Sequence, residues 1–165
     1  MDKATLEYLK AHKDKLQGRV LEVGSFNVNG GVREVIDVSV GIDMRAGRGV
    51  DLVCPVERLH DYFPDGDFDA CVSCGTLEHV KNWKAFVEVT WDMVKEGGFL
   101  VLTIASLAKK RHNYPNDYWR MTEEQIRTIY PNMENYQPLA GASVGWTVKK
   151  EGELGSLDFE PLGVK

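Results

Sequence analysis

Apolar positions recur along this chain in two rhythms. Short, nearly unbroken apolar runs occupy Val20–Val23, Val38–Ile42, Val50–Val53, Phe68–Ser73 and Phe99–Ile104, the pattern of strands buried on both faces. Three- and four-residue spacing marks helices between them. Leu6, Leu9 and Leu16 with Tyr8 give an apolar face over Asp2–Gln17, ended by Gly18, and Trp83, Phe86, Val87, Thr90, Trp91 and Val94 give one over Asn82–Lys95, ended by Gly97 and Gly98. Val32, Val35 and Ile36 predict a helix after the first strand, capped by Asn29, and Thr122–Gln125 predicts a capping box opening a helix to Ile129. Segments 135–140 and 143–149 read as two closing antiparallel strands. Strands and helices alternating in this way predict an α/β fold with a seven-stranded, mostly parallel sheet flanked by helices. Only Met44–Gly49 separates the second and third strands, so the helix of that crossover is shortened or missing, since a parallel connection ordinarily takes a dozen residues or more. Residues 54–67 read as irregular with one helical turn, closed by Pro64-Asp65-Gly66-Asp67, and the glycine-bearing tail from Glu151 is expected to be loose.

With 43% hydrophobic and 27% charged residues in 165, the chain suits one domain: an N-terminal helix over 1–17, a core over 19–105, a lid and helix over 106–131, and a tail from 150. A net charge of −5 supplies no basic field for a phosphate backbone, which argues against nucleic acid as partner. No run approaches the ~20 apolar residues of a membrane span, so a soluble, cytoplasmic protein without a membrane partner is expected. The pattern specifies no oligomer. Cys71 and Cys74 have C-x-x-C spacing, open to a zinc or redox reading, but they fall in a buried strand with no second such pair, and core packing is the reading preferred. No metal ligands are assigned.

The chemistry-bearing stretch is Arg19–Glu34. A strand runs into a loop with Gly24, Asn27, Asn29, Gly30 and Gly31, a corner that brings backbone N–H groups toward a polar ligand. The dinucleotide pattern G-x-G-x-x-G fails here, because Phe26 and Asn29 occupy its later glycine positions, and no P-loop G-K-[ST] follows. Asp43 ends the second strand nineteen residues beyond Gly24 and can accept hydrogen bonds from both hydroxyls of a ribose. A plain strand-to-helix turn with an ordinary loop acid is the alternative.

Glu22-x-Gly24 resembles the first motif of the class I S-adenosylmethionine-dependent methyltransferases, with Phe26 and Val28 standing where that motif prefers glycine. The likeness extends over about 19–105: Phe68-Asp69 through Ser73 to Leu77-Glu78-His79-Val80 is similar to the post-strand motif of the small-molecule, type 11-like branch, and Glu96-Gly97-Gly98 before the fifth strand to the entry of its last parallel strand. The resemblance implies a Rossmann-like sheet, S-adenosyl-L-methionine as cofactor, S-adenosyl-L-homocysteine as product, and cofactor contacts at Glu22, Gly24, Ser25, Phe26, Asn29, Asp43, Met44, Ser73, Cys74 and His79. The carbonyls of Ser73 and Cys74 would accept from the α-ammonium group, and Met44 would lie on the adenine or simply on the surface. His79 is open to a structural role, which we prefer, or to general-base work. Pro55 stands where many relatives carry an adenine-binding Asp, leaving Asp51 or Glu57 to substitute.

His112-x-Tyr114-Pro115-x-Asp117-Tyr118-Trp119-Arg120-x-Thr122 resembles a segment lying over the methyl-donor site in the same branch. It implies substrate contacts at Tyr114, Tyr118, Trp119 and Arg120, with His112, Asp117 and Tyr118 as the catalytic candidates. The alternative is a lid whose aromatics close the core and whose Arg120 pairs with an acid. The expected activity is methyl transfer to a small-molecule nucleophile, with a protein side chain second. A non-catalytic cofactor-binding or regulatory module is the rival, and the sequence names no acceptor atom.

Overall fold

A computed structural model describes residues 1–112, 116–140 and 142–163. Seven strands form one sheet in the order β3-β2-β1-β4-β5-β8-β7: β1 (Val20–Val23), β2 (Val40–Asp43), β3 (Leu52–Val53), β4 (Phe68–Cys74), β5 (Val94–Ala105), β7 (Met133–Leu139) and β8 (Ser143–Lys149). The first five are parallel, with Leu21 opposite Val40 on one side and Cys71 on the other, and β8 and β7 add antiparallel at the far edge. The order reverses between β1 and β4, and that switch point is where an open α/β sheet leaves a crevice at its carboxyl end.

Side-chain alternation splits the core between the two faces. Leu21, Val23, Cys71, Leu100 and Leu102 pack under α3 (Trp83–Met93) and α4 (Glu123–Ile129), while Val20, Ala70, Val72 and Val101 pack under α1 (Lys3–Ala11). The capping box read from the sequence is present on α4, where Thr122 and Gln125 exchange both bonds, and on α3 Asn82 Oδ1 accepts from Ala85 N–H at 3.1 Å. Cys71 joins one face's core and Cys74 packs against the other's, so the C-x-x-C thiols diverge, consistent with the core reading.

Several expected elements are shorter than their patterns. The first helix ends at Ala11 and continues only as a 3-10 turn, Lys13–Lys15. The helix expected after β1 is a single 3-10 turn, Val32–Glu34, so Asn29 caps nothing. Gly31 N–H is instead received by Glu34 Oε1 at 3.1 Å and Gly30 N–H by Asn27 Oδ1 at 2.9 Å. Two glycines and three β-branched residues in Gly30–Ile36 carry too little helix propensity to propagate a turn that covers only a short strand. The β2-to-β3 connection has lost its helix, as expected, and residues 56–62 form a 3-10 turn followed by α2 (Leu59–Tyr62).

The tail expected to be loose is docked. Residues Leu162–Gly163 (β9) pair antiparallel with Trp119–Arg120 (β6), Phe159 packs on Trp83 with ring centroids 5.0 Å apart, and Gly155 N–H is accepted by the Ile129 carbonyl at 2.8 Å. Leu154, Leu157 and Phe159, too sparse to register as a periodic element, anchor it to the α3 side of the core. Deleting residues 153–163 should therefore lower the urea midpoint of unfolding, which a loose tail would leave unchanged.

Candidate active site

Two turns meet at the carboxyl end of the sheet, one after β1 and one after β4. Gly24 sits at φ +81°, and a Cβ there would fall 2.0 Å from Thr76 Oγ1, so only glycine lets the turns approach this closely. Ser73 Oγ, 2.8 Å from the Val23 carbonyl, ties β4 to the end of β1. Beside this junction opens a cleft of about 230 Å³. Its floor is Glu22, Gly24, Ser25, Cys74 and Gly75, its rim is Phe26–Gly31 together with Met1, Asp2 and Thr5 ahead of and along α1, and its far end is Glu78, Thr103, Lys109, His112 and Ser143.

The floor is polar and incompletely satisfied. Ser25 is buried and its Oγ has no partner among the described residues, although its N–H is received by the Ile42 carbonyl at 2.9 Å. Glu22 is 5% exposed, and burial pushes its carboxyl up to about 7; Arg33 opposes that shift, while Asp43 and Asp51 add to it. A buried acid and an orphan hydroxyl facing open space suit a ligand that brings hydrogen-bond donors, preferably cationic ones.

Gly24 and Asp43 stand at the same end of neighbouring strands, with Gly24 N–H bonded to the Ile42 carbonyl at 3.0 Å. The Asp43 carboxylate lies outside the cleft lining, and its two oxygens accept from the N–H groups of Phe26 and Arg45, each at 3.2 Å. The Phe26 ring lies under the Arg45 guanidinium, 4.6 Å away, and fills the space over Gly47, where a Cβ would come within 2.2 Å of it. Phe26 lines the cleft and donates its N–H to Asp43, so the carboxylate sits one residue behind the lining. Met44 is 74% exposed. Asp51 is committed elsewhere, accepting from Gly41 N–H at 2.7 Å and pairing with Arg33, and Glu57 is exposed.

The flap is stapled to the turn Leu77–His79. Tyr118 N–H donates to the Glu78 carbonyl at 2.8 Å, Trp119 Nε1–H to the Val80 carbonyl at 2.9 Å, and His79 Nδ1 meets the Asn116 carbonyl at 2.7 Å. Leu77–His79 forms a 3-10 turn separate from α3, because Asn82 supplies the helix cap three residues later. Of the flap residues expected at the substrate, His112 reaches the cleft and Tyr118, Trp119 and Arg120 do not line it. Tyr114 falls outside the described residues.

Arg120 and Asp117 form a buried bidentate pair at 2.5 and 2.8 Å, with side chains 4% and 0% exposed. Burial works against the charge on Asp117, but the Arg120 bonds and the His112 N–H outweigh it and hold the carboxyl down to about 2. An acid this weakly basic and this well paired is a poor proton acceptor. The terminal nitrogens of Arg120 also donate to the Trp119, Lys109 and Lys110 carbonyls, which ties the pair into the flap, while its Nε is buried without a partner among the described residues. Sequence reasoning missed Thr5, Thr103, Lys109 and Ser143. The only signal for the last two was position, each lying just beyond or at the start of a strand on the sheet's carboxyl side.

A methyltransferase-domain family model matches residues 35–102. No curated protein matches the chain. Among solved structures, the 1,6-didemethyltoxoflavin-N1-methyltransferase of Burkholderia thailandensis, with its substrate and S-adenosylhomocysteine bound, is 14% identical, superposes with a TM-score of 0.69, and covers 92% of this chain and 80% of its own. An S-adenosylmethionine-dependent methyltransferase from Archaeoglobus fulgidus is 12% identical (TM-score 0.65, 88% and 93% covered). Another from Thermotoga maritima is 20% identical (TM-score 0.65, 90% and 89% covered). At these identities the superpositions establish the fold alone. Among the described residues, no helix is long and apolar enough to cross a membrane.

Two outcomes follow for stability. Glu22 is protonated in the fold at pH values where the unfolded chain has lost its proton, so its cost appears as pH rises from about 4.5 and is complete above about 7. Glu22→Gln should stabilise by roughly 2–3 kcal/mol at pH 8 and by little at pH 4, read from urea unfolding at both. Asp117→Ala should cost roughly 3–5 kcal/mol by leaving Arg120 buried and unpaired, whereas Glu123→Ala, breaking the exposed pair with Arg127, should cost under about 0.5 kcal/mol.

Proposed function

We propose that the chain is a class I S-adenosylmethionine-dependent methyltransferase of the type 11 branch, and that it methylates a small molecule held between the cleft and the flap to which Lys109, His112 and residues 116–120 belong. The observation that carries this reading is the unsatisfied polar floor, Glu22 and the orphan Ser25 hydroxyl, at the switch point of a sheet ordered 3-2-1-4-5 with an antiparallel edge. S-adenosylmethionine, when bound, supplies an electrophilic methyl group on a sulfonium. The protein's share is then alignment and exclusion of water.

Glu22 would take the cofactor's ammonium, with the Cys74 carbonyl beside it, and Ser25 Oγ together with the Asn27–Gly31 rim would take its carboxylate and hydroxyls. Asp43 remains our ribose candidate. It would exchange the Phe26 and Arg45 N–H bonds for the two ribose hydroxyls. Lys109, His112 and Ser143 border the acceptor's end of the cleft, while Tyr118 and Trp119 brace the flap from behind. A small acceptor is favoured because the cleft measures about 230 Å³ and the described part of the flap is pinned to the turn beside it at three points. The Burkholderia thailandensis structure, with a small heterocyclic substrate on the same fold, supports this choice.

Calorimetry with S-adenosylhomocysteine should show one site. Its affinity should rise with pH up to about 7, as Glu22 ionises, and Glu22→Gln should weaken binding roughly tenfold and flatten that dependence. Labelled methyl should pass from S-adenosylmethionine into a small-molecule extract. Binding without any turnover would favour the non-catalytic module, and no binding at all would contradict the reading.

A further inference from the structure

At the far end of the cleft, Glu78, His79 and His112 bring three ligand-type atoms within 4.8 Å of one another. His79 Nε2 and His112 Nε2 are 3.1 Å apart, with the rings edge to face at 88°. The second nitrogen of each ring fixes what stands between them. His79 Nδ1 meets the Asn116 carbonyl, which can only accept, so Nδ1 carries the hydrogen and Nε2 presents a lone pair. His112 Nδ1 is buried 3.1 Å from Asp117 Oδ2, off the line of a good hydrogen bond, beside a carboxylate that Arg120 keeps anionic. Hydrogen on His112 Nδ1 leaves two lone pairs facing at 3.1 Å, and hydrogen on its Nε2 sets the Nδ1 lone pair against the carboxylate. Either neutral tautomer is repulsive, and the arrangement calls for a cation between the rings.

The buried carboxylate identifies which kind. Glu78 is 3% exposed, its Oε1 accepts from Ala105 N–H at 3.1 Å, and its Oε2 is buried without a partner among the described residues. A proton between the imidazoles would leave that oxygen unsatisfied, whereas a metal ion would take it as a third ligand. A carbonyl bonded to His79 Nδ1 and a carboxylate 3.1 Å from His112 Nδ1 are the kinds of outer group that orient metal-binding histidines, and a small turn of the His112 ring would align the second.

We propose that Glu78, His79 and His112 bind a first-row divalent transition-metal ion through two imidazole nitrogens and one carboxylate oxygen. Two imidazoles and one carboxylate suit zinc, iron or cobalt better than magnesium or calcium. The histidine nitrogens already stand near the ~3.3 Å spacing of a tetrahedral site with bonds of about 2.0–2.1 Å, and Glu78 closes by roughly 1.5 Å to join them. Glu78 and His112 line the cleft, so the ion's open position faces it. An acceptor bearing a hydroxyl or carboxylate oxygen would be held there. That last step rests on the methyl-transfer reading, whereas the metal site does not.

The test strips the full chain with a chelator and titrates it with zinc against a chromophoric competitor, and with cobalt followed by its visible spectrum. One equivalent should bind. His79→Gln and His112→Gln should each weaken binding at least tenfold, while His60→Gln, on the exposed surface beside Asp92, should leave it unchanged. Zinc should raise the melting temperature of the native chain and not of the two variants, whose folding is checked by circular dichroism in chelator. Sub-stoichiometric binding, or binding that survives the His79→Gln/His112→Gln double variant, overturns the site. Calorimetry of the metal-free protein with S-adenosylhomocysteine separates the two ideas, since retained cofactor binding without metal binding defeats only this one.

Discussion

The closeness of the turns after β1 and β4 is the constraint on which the rest of the molecule depends. A backbone at φ +81° with Thr76 Oγ1 where a Cβ would be admits only Gly24, and the Ser73 hydroxyl bond to the Val23 carbonyl holds the strands in register at that point. Once they meet, Glu22 is trapped beneath α1 with its charge penalised, and Ser25 is left with an unanswered hydroxyl. The polar floor of the cleft is thus a direct result of how the sheet closes at its switch point. Stability is spent there in the form of a buried acid that the fold would do better without, a common compromise at sites that bind charged ligands.

The flap obeys a second constraint, a buried charge pair. Arg120 and Asp117 neutralise each other, and the Lys109 and Lys110 carbonyls accept further bonds from the guanidinium. Burying such a pair contributes little net stability, but it fixes one conformation of the segment. That conformation delivers His112 to the cleft and sets its ring against His79. Residues expected to touch substrate therefore act one step behind it, as supports for the side chain that does reach the cleft.

Much of this was legible in the sequence because it rests on local signals. The apolar runs marked the strands, Asn82 and Thr122-x-x-Gln125 marked the helix starts, and Glu22-x-Gly24 with Leu77-Glu78-His79-Val80 marked the two turns that meet. What escaped was set by distant partners. The tail is held by Trp83 and Ile129, which no periodicity in 151–163 announces, and the turn at Val32–Glu34 lost its helix to weak propensity. Asp43 was legible at the carboxyl end of β2, whereas the Phe26 ring packed over Gly47 is a contact across twenty-one residues that no local signal announces. Arg120 and Asp117 carried the chemistry of a site in their residue types, and their pairing with each other, buried behind the cleft lining, is a contact that residue type alone does not reveal.

The central claim, that the ligand is received where the β1 and β4 turns converge, is tested most directly by hydrogen exchange with and without S-adenosylhomocysteine. Slowed exchange confined to residues 22–31 and 74–79, with a smaller effect at 43–48, is the expected result. Protection centred instead on the opposite end of the sheet or around Trp83 and Trp119, with the two turns unaffected, would contradict the account.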